Sequence, residues 1–310
     1  MSLDPTPRFC APFPMFAPAH LLALAPVAED AGFTSVAVPE SVFFPREVSA
    51  DYPYSPDGSR FWAADTPFTD PVVAISAMAA ITTTLRFVTN VVKAPLRHPL
   101  LLAKQVSSLA AISGDRVDLG VGSSWIPEEF EWLGESMRTR GARLDEIIDI
   151  VRLVCDGGND WVEFHGRHYD FGPLMVSPAP TRAVPILVGG HSEAALRRAV
   201  RVGDGWISVQ ATRDEIRTVA HRLADLLADA GRTADPFTLN VLCLDVMPNA
   251  TGVDDYANFA AEMAALGFTV AFQVVPWFFT GGDPEALDVR TEALRAFGDE
   301  VITPLGARPT

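Results

Sequence analysis

Eight times along the chain a short β-rich apolar run is followed by an amphipathic segment with helical spacing, and no other feature restricts the fold as much. Strands that alternate with helices in this way pair in parallel and bury both faces of their sheet. A chain made of such units is therefore either a closed barrel or an open doubly wound sheet. Eight strands and eight helices is the arithmetic of a (β/α)8 TIM barrel, and 310 residues suffice for one such α/β domain spanning 1–310. Periodicity does not show closure, so the open sheet stays as the alternative.

The strands are expected at Arg8–Ala11, Ser35–Val38, Phe87–Val92, Val117–Val121, Pro185–Val188, Trp206–Val209, Leu239–Leu244 and Val270–Val275. Leu21, Leu24, Ala25 and Ala28 stripe the first helix, which Gly32 closes. Asp70 caps the second helix with Pro71 in its first turn, and Pro99 opens the third. Leu144, Ile147, Ile148, Val151 and Val154 mark the helix after the fourth strand, and Ile216, Val219, Leu223 and Leu226 mark a later one that runs to Gly231. A helix surrounds Phe259 and Met263, and Asp283 with Pro284 is expected to open the last. Two stretches depart from the alternation. Ser41 to Phe68, with its prolines and Tyr52, Tyr54, Phe61 and Trp62, has neither period and reads as a long aromatic loop inserted after strand 2, a lid or binding loop. Asn159 to Val176 reads as a hairpin inserted before strand 5.

The segment from Val184 to Trp206 packs strand, glycine pair and helix start into one unit. Gly189 and Gly190 permit a tight turn, and Ser192 is a suitable N-cap. The free N–H groups and positive dipole end of that helix suit a phosphate, although a plain strand-to-helix turn would use the same residues.

Composition excludes several function classes. Twenty-four basic residues against 39 acidic ones give a net charge of −15, which argues against nucleic acid or an anionic membrane as partner. Pro12, Pro14, Pro18 and Pro26 break the apolar stretch Phe9–Ala28, so neither an export signal nor a membrane span is expected there. Cys10, Cys155 and Cys243 are widely spaced in apolar contexts, as reduced, buried thiols of a cytoplasmic protein would be. No metal site is expected: His165 and His168 lack a nearby third ligand and suit a solvent-facing hairpin. Glu128, Glu129 and Glu131 read as a solvated loop, and Arg138, Arg140 and Arg143 as a solvated helix start.

In a barrel the site lies on the loops after the strands. Here those are Pro12–Phe16, Glu40 with Ser41, Thr89–Val92, Gly122–Trp125, Gly189–Ser192, the residues after Val209, Val246 with Met247, and Pro276–Phe279. They hold small and aromatic side chains, with neither a triad nor paired acids, which points to an organic cofactor as the carrier of the chemistry. A phosphate-binding lyase or isomerase would need a Schiff-base lysine or a metal pair. Lys93 and Lys104 are the only lysines, and only Lys93 lies near a strand end.

Several pieces together resemble the luciferase-like flavin and deazaflavin oxidoreductases: RHP-xxx-AK from Arg97, SGDR from Ser113, GVGSSW from Gly120, and VGG with GDGW between Val188 and Trp206. With PYSPDG from Pro53, they look most like the branch that uses the deazaflavin coenzyme F-420 rather than FMN. The resemblance implies a (β/α)8 barrel and a non-prolyl cis peptide at Asn90–Val91 against the cofactor ring. It implies ring and side-chain contacts at Gly122, Ser123 and Ser124, and a phosphate at Gly189, Gly190, His191 and Ser192. His191 could equally cap the helix while backbone N–H groups hold the phosphate. Phe13, Tyr54, Trp62 and Trp125 are the expected substrate pocket. Where the branch commonly ends its second strand with an acid and a histidine, this chain has Glu40 and Ser41, which are the catalytic candidates, Glu40 as proton donor or as hydrogen-bond acceptor. The activity implied is hydride transfer between F-420 and a small, mainly apolar substrate. An FMN-dependent monooxygenase and a non-catalytic flavin-binding subunit are the alternatives, and the family's common state is a homodimer.

Overall fold

Parallel pairing carries the chain around a full circle in the computed structural model, which describes residues 5–55, 57–156, 158–243 and 252–307. In chain order the elements are β1 (Arg8–Pro12), α1 (Pro18–Asp30), β2 (Ser35–Val38), α2 (Pro71–Ala79), β3 (Arg86–Thr89), β4 (Val92–Lys93), α3 (Pro99–Ser113), β5 (Val117–Gly122), α4 (Pro127–Trp132) and α5 (Arg140–Asp156). They continue with β6 (Val162–His165), β7 (Asp170–Leu174), β8 (Ile186–Gly189), α6 (Glu193–Val202), β9 (Gly205–Ile207), α7 (Arg213–Asp229), β10 (Thr238–Val241), α8 (Val253–Ala265), β11 (Thr269–Gln273) and α9 (Leu287–Phe297). β1 pairs with β2 at Cys10 and Ser35, and the ring runs on through β3, β5, β8, β9, β10 and β11. It closes where Phe9 of β1 meets Phe272 of β11. The α/β fold is thus a closed eight-stranded TIM barrel with helices outside.

The two-residue period of the strands sorts their side chains. Cys10, Ala37, Val88, Leu187 and Ile207 point inward and form one small cluster. Phe9, Val36, Phe87, Leu119, Val188, Trp206, Leu239 and Phe272 point outward into the much larger core shared with the helices. Both faces are buried, so the strands read as continuous apolar runs rather than as alternation.

The SGDR piece closes the turn from α3 to β5. Gly114 and Asp115 both take positive φ, 66° and 61°, and the Asp115 carboxylate accepts hydrogen bonds from the Thr181 N–H and hydroxyl. Arg116 then reaches across to the end of α2, donating to the carbonyls of Ala79 (2.8 Å), Thr82 (3.1 Å) and Leu85 (2.8 Å). These are carbonyls that a helix end and its following turn leave without partners.

Several boundaries differ from the sequence expectation. The run Phe87–Val92 is two strands, β3 and β4, divided at the Asn90–Val91 peptide, which is cis. α9 begins at Leu287 rather than at Asp283. The Asp283 carboxylate accepts the Glu285 N–H, its carbonyl takes the Ala286 N–H, and Ala286 is extended (ψ 136°), so a separate turn precedes the helix. The strand expected at Leu239–Leu244 ends as β10 at Val241; Leu244 lies outside the described residues. The acidic run at Glu128 forms α4, and Glu129 is fully buried, not solvated. Arg143 is also buried, paired with Glu135. The hairpin is present as β6 and β7, with exposed His165 bonded to Asp170. Cys10, Cys155 and Cys243 are buried, and burial pushes the thiols of Cys10 and Cys155 up to about 12. Among the described residues no helix is long and apolar enough to cross a membrane.

Arg116→Ala leaves several helix-end carbonyls without partners. It is expected to lower stability by about 2–4 kcal/mol, seen as a lower urea midpoint with an unchanged slope. A midpoint within error of the parent would show that the turn does not depend on this side chain.

Candidate active site

Val91 sits in the mouth of the barrel because three positions on two neighbouring strands, β5 and β8, carry no side chain. A Cβ on Gly122 would come within 2.7 Å of Val91 Cγ2, one on Gly189 within 3.1 Å of Val91 Cγ1, and one on Gly120 within 1.9 Å of the Thr89 carbonyl. The glycines make room for the Asn90–Val91 segment to bulge inward, and Val91 keeps part of its surface exposed. Asn90 Nδ2 donates to Gln273 Oε1 (2.9 Å), whose Nε2 donates to Asn240 Oδ1 (2.7 Å). This chain of amides crosses the upper interior and fixes Asn90 to the far wall.

Two ion pairs brace the mouth between β2, β4 and β5. Glu40 accepts from the Arg97 guanidinium on both oxygens (2.6 and 3.1 Å) and from the Lys93 N–H (2.7 Å). Its carboxylate is almost wholly enclosed, and the arrangement presents it as a hydrogen-bond acceptor rather than a donor. Ser41 beside it is partly exposed. The Lys93 ammonium donates to Glu129 Oε1 (2.5 Å), and the Ser124 hydroxyl donates to Glu129 Oε2 (2.8 Å). The Ser124 hydroxyl is thus committed to Glu129, and Ser123 beside it is partly exposed.

The loop expected as a lid packs onto this mouth through its aromatic rings. Tyr52 is the hub, in edge contact with Tyr54, Phe61, Trp62 and Trp125 at 5.2–5.9 Å between centroids. Burial pushes the Tyr52 phenol up to about 12 and the Tyr54 phenol in the same direction, so both keep their proton at neutral pH. The Ser49 N–H donates to Glu128 (2.8 Å), and Arg60 stacks on Phe44 (3.5 Å), tying down the rest of the loop. The Trp62 indole nitrogen is buried without a partner. Phe13 is buried and stacked on Phe16, so it backs the mouth rather than lining it openly.

After β8, the neighbour of β5, Gly190 has φ 116° and its carbonyl accepts the Trp206 indole N–H (2.8 Å). Ser192 caps α6 through the Ala195 N–H (3.3 Å). Glu193, in the first turn, is drawn outward by Arg197 and Arg222 and does not fill the helix start. His191 is packed edge-on against Trp206 (5.2 Å) and tilted near Tyr54 (6.0 Å), and its Nε2 accepts the Val209 N–H (3.2 Å). Burial lowers its pKa below 6.5. Val246, Met247 and Pro56 lie outside the described residues.

The structure thus brings Glu40, Asn90, Val91, Ser123, Trp125, Gly189 and His191 to one mouth. The sequence reading missed Tyr52 as the hub, Arg97 as the partner of Glu40, and the Lys93–Glu129 pair. One signal for that pair was present: Lys93, one of two lysines, stands at a strand end, and Pro127 opens a helix that sets Glu129 beside Phe130.

A family model described as luciferase-like monooxygenase matches residues 4–244. The uncharacterized protein Rv0940c of Mycobacterium tuberculosis is 41% identical over 281 residues, 91% of this chain and 94% of its own. An F-420-dependent glucose-6-phosphate dehydrogenase of Beutenbergia cavernae is 31% identical over 225 residues, 70% of this chain and 61% of its own. The crystal structure of monooxygenase RslO1 from Streptomyces bottropensis shares the fold with a TM-score of 0.71, at 21% identity over 96% of this chain and 99% of its own.

Because His191 holds its proton less tightly when folded, the unfolded chain carries more protons between the two pKa values. Stability from this group is complete above about pH 6.5 and falls as pH drops toward the lower folded value. Urea unfolding at pH 7.5 and 5.5 is expected to show a larger acid loss for the parent than for His191→Gln, by roughly 1.4 kcal/mol per unit of depression. Equal losses would mean that the imidazole is not held neutral by its setting.

Proposed function

The chain belongs to the luciferase-like monooxygenase family, and from that premise we propose that it is an oxidoreductase moving a hydride between the deazaflavin coenzyme F-420 and a small, mainly apolar organic substrate. The observation that carries this reading is the floor of the mouth: Val91 raised over Gly122 and Gly189, whose missing Cβ atoms leave the apolar step that a flat ring would rest on. The residues present suit such a group. Asn90, Val91, Gly122 and Ser123 would lie along the ring, with Ser124 holding their turn from behind. Gly189, Gly190, His191 and Ser192 would take the phosphate through N–H groups and the dipole of α6. When bound, the deazaflavin supplies a carbon that gives or accepts the hydride.

The protein's own part is orientation and exclusion of water. Tyr54, Trp62 and Trp125, gathered by Tyr52, would cover the substrate from the loop side, with Phe13 behind them. Glu40 and Ser41 stand where the second strand ends, and Glu40 acts as an anchored anion that holds Arg97 and the β4 N–H in place. The F-420-dependent dehydrogenase among the relatives supports F-420. The likeness in fold to a monooxygenase favours a second reading, an FMN-dependent monooxygenase on the same scaffold. A deazaflavin carbon does not readily activate oxygen, so the first reading means reduction or dehydrogenation and the second means oxygenation. On the same reading the protein is a cytoplasmic homodimer acting on a small molecule, and its charge of −15 argues against nucleic acid or an anionic membrane as partner.

Apo-protein mixed separately with F-420 and with FMN is expected to show saturable quenching of tryptophan fluorescence by F-420 at the lower concentration. Tight FMN binding with none of F-420 would overturn the cofactor assignment. Glu40→Gln keeps the shape but not the charge that holds Arg97, and is expected to retain cofactor affinity while slowing turnover at least tenfold. Turnover at the parent rate would remove Glu40 from the machinery.

A further inference from the structure

Ser124 has φ 60°, the left-handed region that a serine adopts only when something holds it there. What holds it is its hydroxyl, which accepts the Ile126 N–H at 3.4 Å and is itself aimed at a carboxylate. The Ser124 hydroxyl donates to Glu129 Oε2 at 2.8 Å, and Glu129 has no exposed surface at all. A buried carboxylate needs a partner, and the Lys93 ammonium supplies it at 2.5 Å from the other oxygen. Lys93 is in turn fixed by its own N–H, which donates to Glu40 at 2.7 Å, and by the pairing of β4 with β5 at Gly122.

We propose that the buried Lys93–Glu129 pair is a positioning device that holds Ser124 in its left-handed turn and so sets Ser123 and Trp125 toward the mouth. The proposal rests on the reading of that mouth as the cofactor and substrate site. Stability alone does not call for the pair, since well-packed apolar residues in its place are often as stable or more so. What apolar residues cannot supply is a charged acceptor aimed at the Ser124 hydroxyl. The turn matters because it lies between Gly122, under Val91, and Trp125, which touches Tyr52 of the covering loop. Lys93 and Glu129 act through Ser124 and contact no ligand themselves.

Glycine adopts the left-handed region without help, whereas alanine does not, and the test uses that difference. Hydrogen exchange of the peptide amides over 122–126 is measured in apo-protein, and affinity for F-420 and FMN by fluorescence quenching. Ser124→Ala is expected to speed exchange at least fivefold, and Ser124→Gly to stay close to the parent. A single Lys93→Met leaves an unpaired buried carboxylate and invites misfolding, so both members are replaced together. The pair Lys93→Met with Glu129→Met is expected to keep the parent's Tm, exchange faster over 122–126 and bind the coenzyme at least tenfold more weakly. Adding Ser124→Gly to that pair is expected to recover most of both losses. The proposal is overturned if alanine and glycine at 124 behave alike, or if the double replacement leaves exchange unchanged. Parent protein that binds neither F-420 nor FMN would sink the functional reading instead, while the exchange measurements still decide on the brace.

Discussion

A closed ring of eight strands leaves an interior just wide enough for its own side chains to fill, and most of this molecule follows from how that space is filled. One interior cluster is Cys10, Ala37, Val88, Leu187 and Ile207, a set that includes two small side chains. The bulk goes outside, where Phe9, Phe87, Trp206 and Phe272 fill the gap beneath the helices. Because the wall is complete, no strand edge needs protection, and the loops above the strands are free to carry chemistry rather than structure. Near the top the filling becomes glycine on β5 and β8, and the chain between β3 and β4 occupies the space that those missing side chains release.

The closed ring was legible in the sequence because its signal is repeated and local. Each strand is a short apolar run and each helix has a stripe, so one ambiguous unit does not upset the count. Asp70 shows the same at smaller scale, since a capping carboxylate accepting the Val72 and Val73 N–H groups depends only on neighbours in sequence. Asp283 looked identical and was not, because its carboxylate closed a turn three residues early. Glu129 was misread for a different reason. In an acidic run each residue looks solvated, and what buries this one is Lys93, 36 positions away. The partner of Glu40, Arg97, is 57 residues distant and equally invisible to local pattern. Tertiary partners decide the meaning of charged side chains, and periodicity carries no information about them.

The two buried ion pairs share a logic. Glu40 and Glu129 come from different segments, and both are held by the short stretch from Lys93 to Arg97. A polar link between segments that are not neighbours in a ladder fixes direction as well as distance, since hydrogen bonds to charged groups weaken when misaligned. The price is desolvation, which is offset only while both partners stay in place. Around an open mouth, where packing cannot enforce geometry from above, such links do what interlocked side chains do lower in the barrel.

The covering loop completes the same argument from the solvent side. It has no helix or strand to stiffen it, yet Tyr52 meets four rings at near-perpendicular or tilted angles, each such contact contributing about 0.5–1.5 kcal/mol beyond the area it buries. One of those rings, Trp125, belongs to the turn that Glu129 holds, and Tyr54 of the loop lies against His191, which follows the neighbouring strand β8. The loop is thus anchored to two of the mouth's own walls rather than to the helices outside. The covering loop and the turns after β5 and β8 are thereby coupled, since Tyr52 and Tyr54 stand two residues apart and each touches one of them.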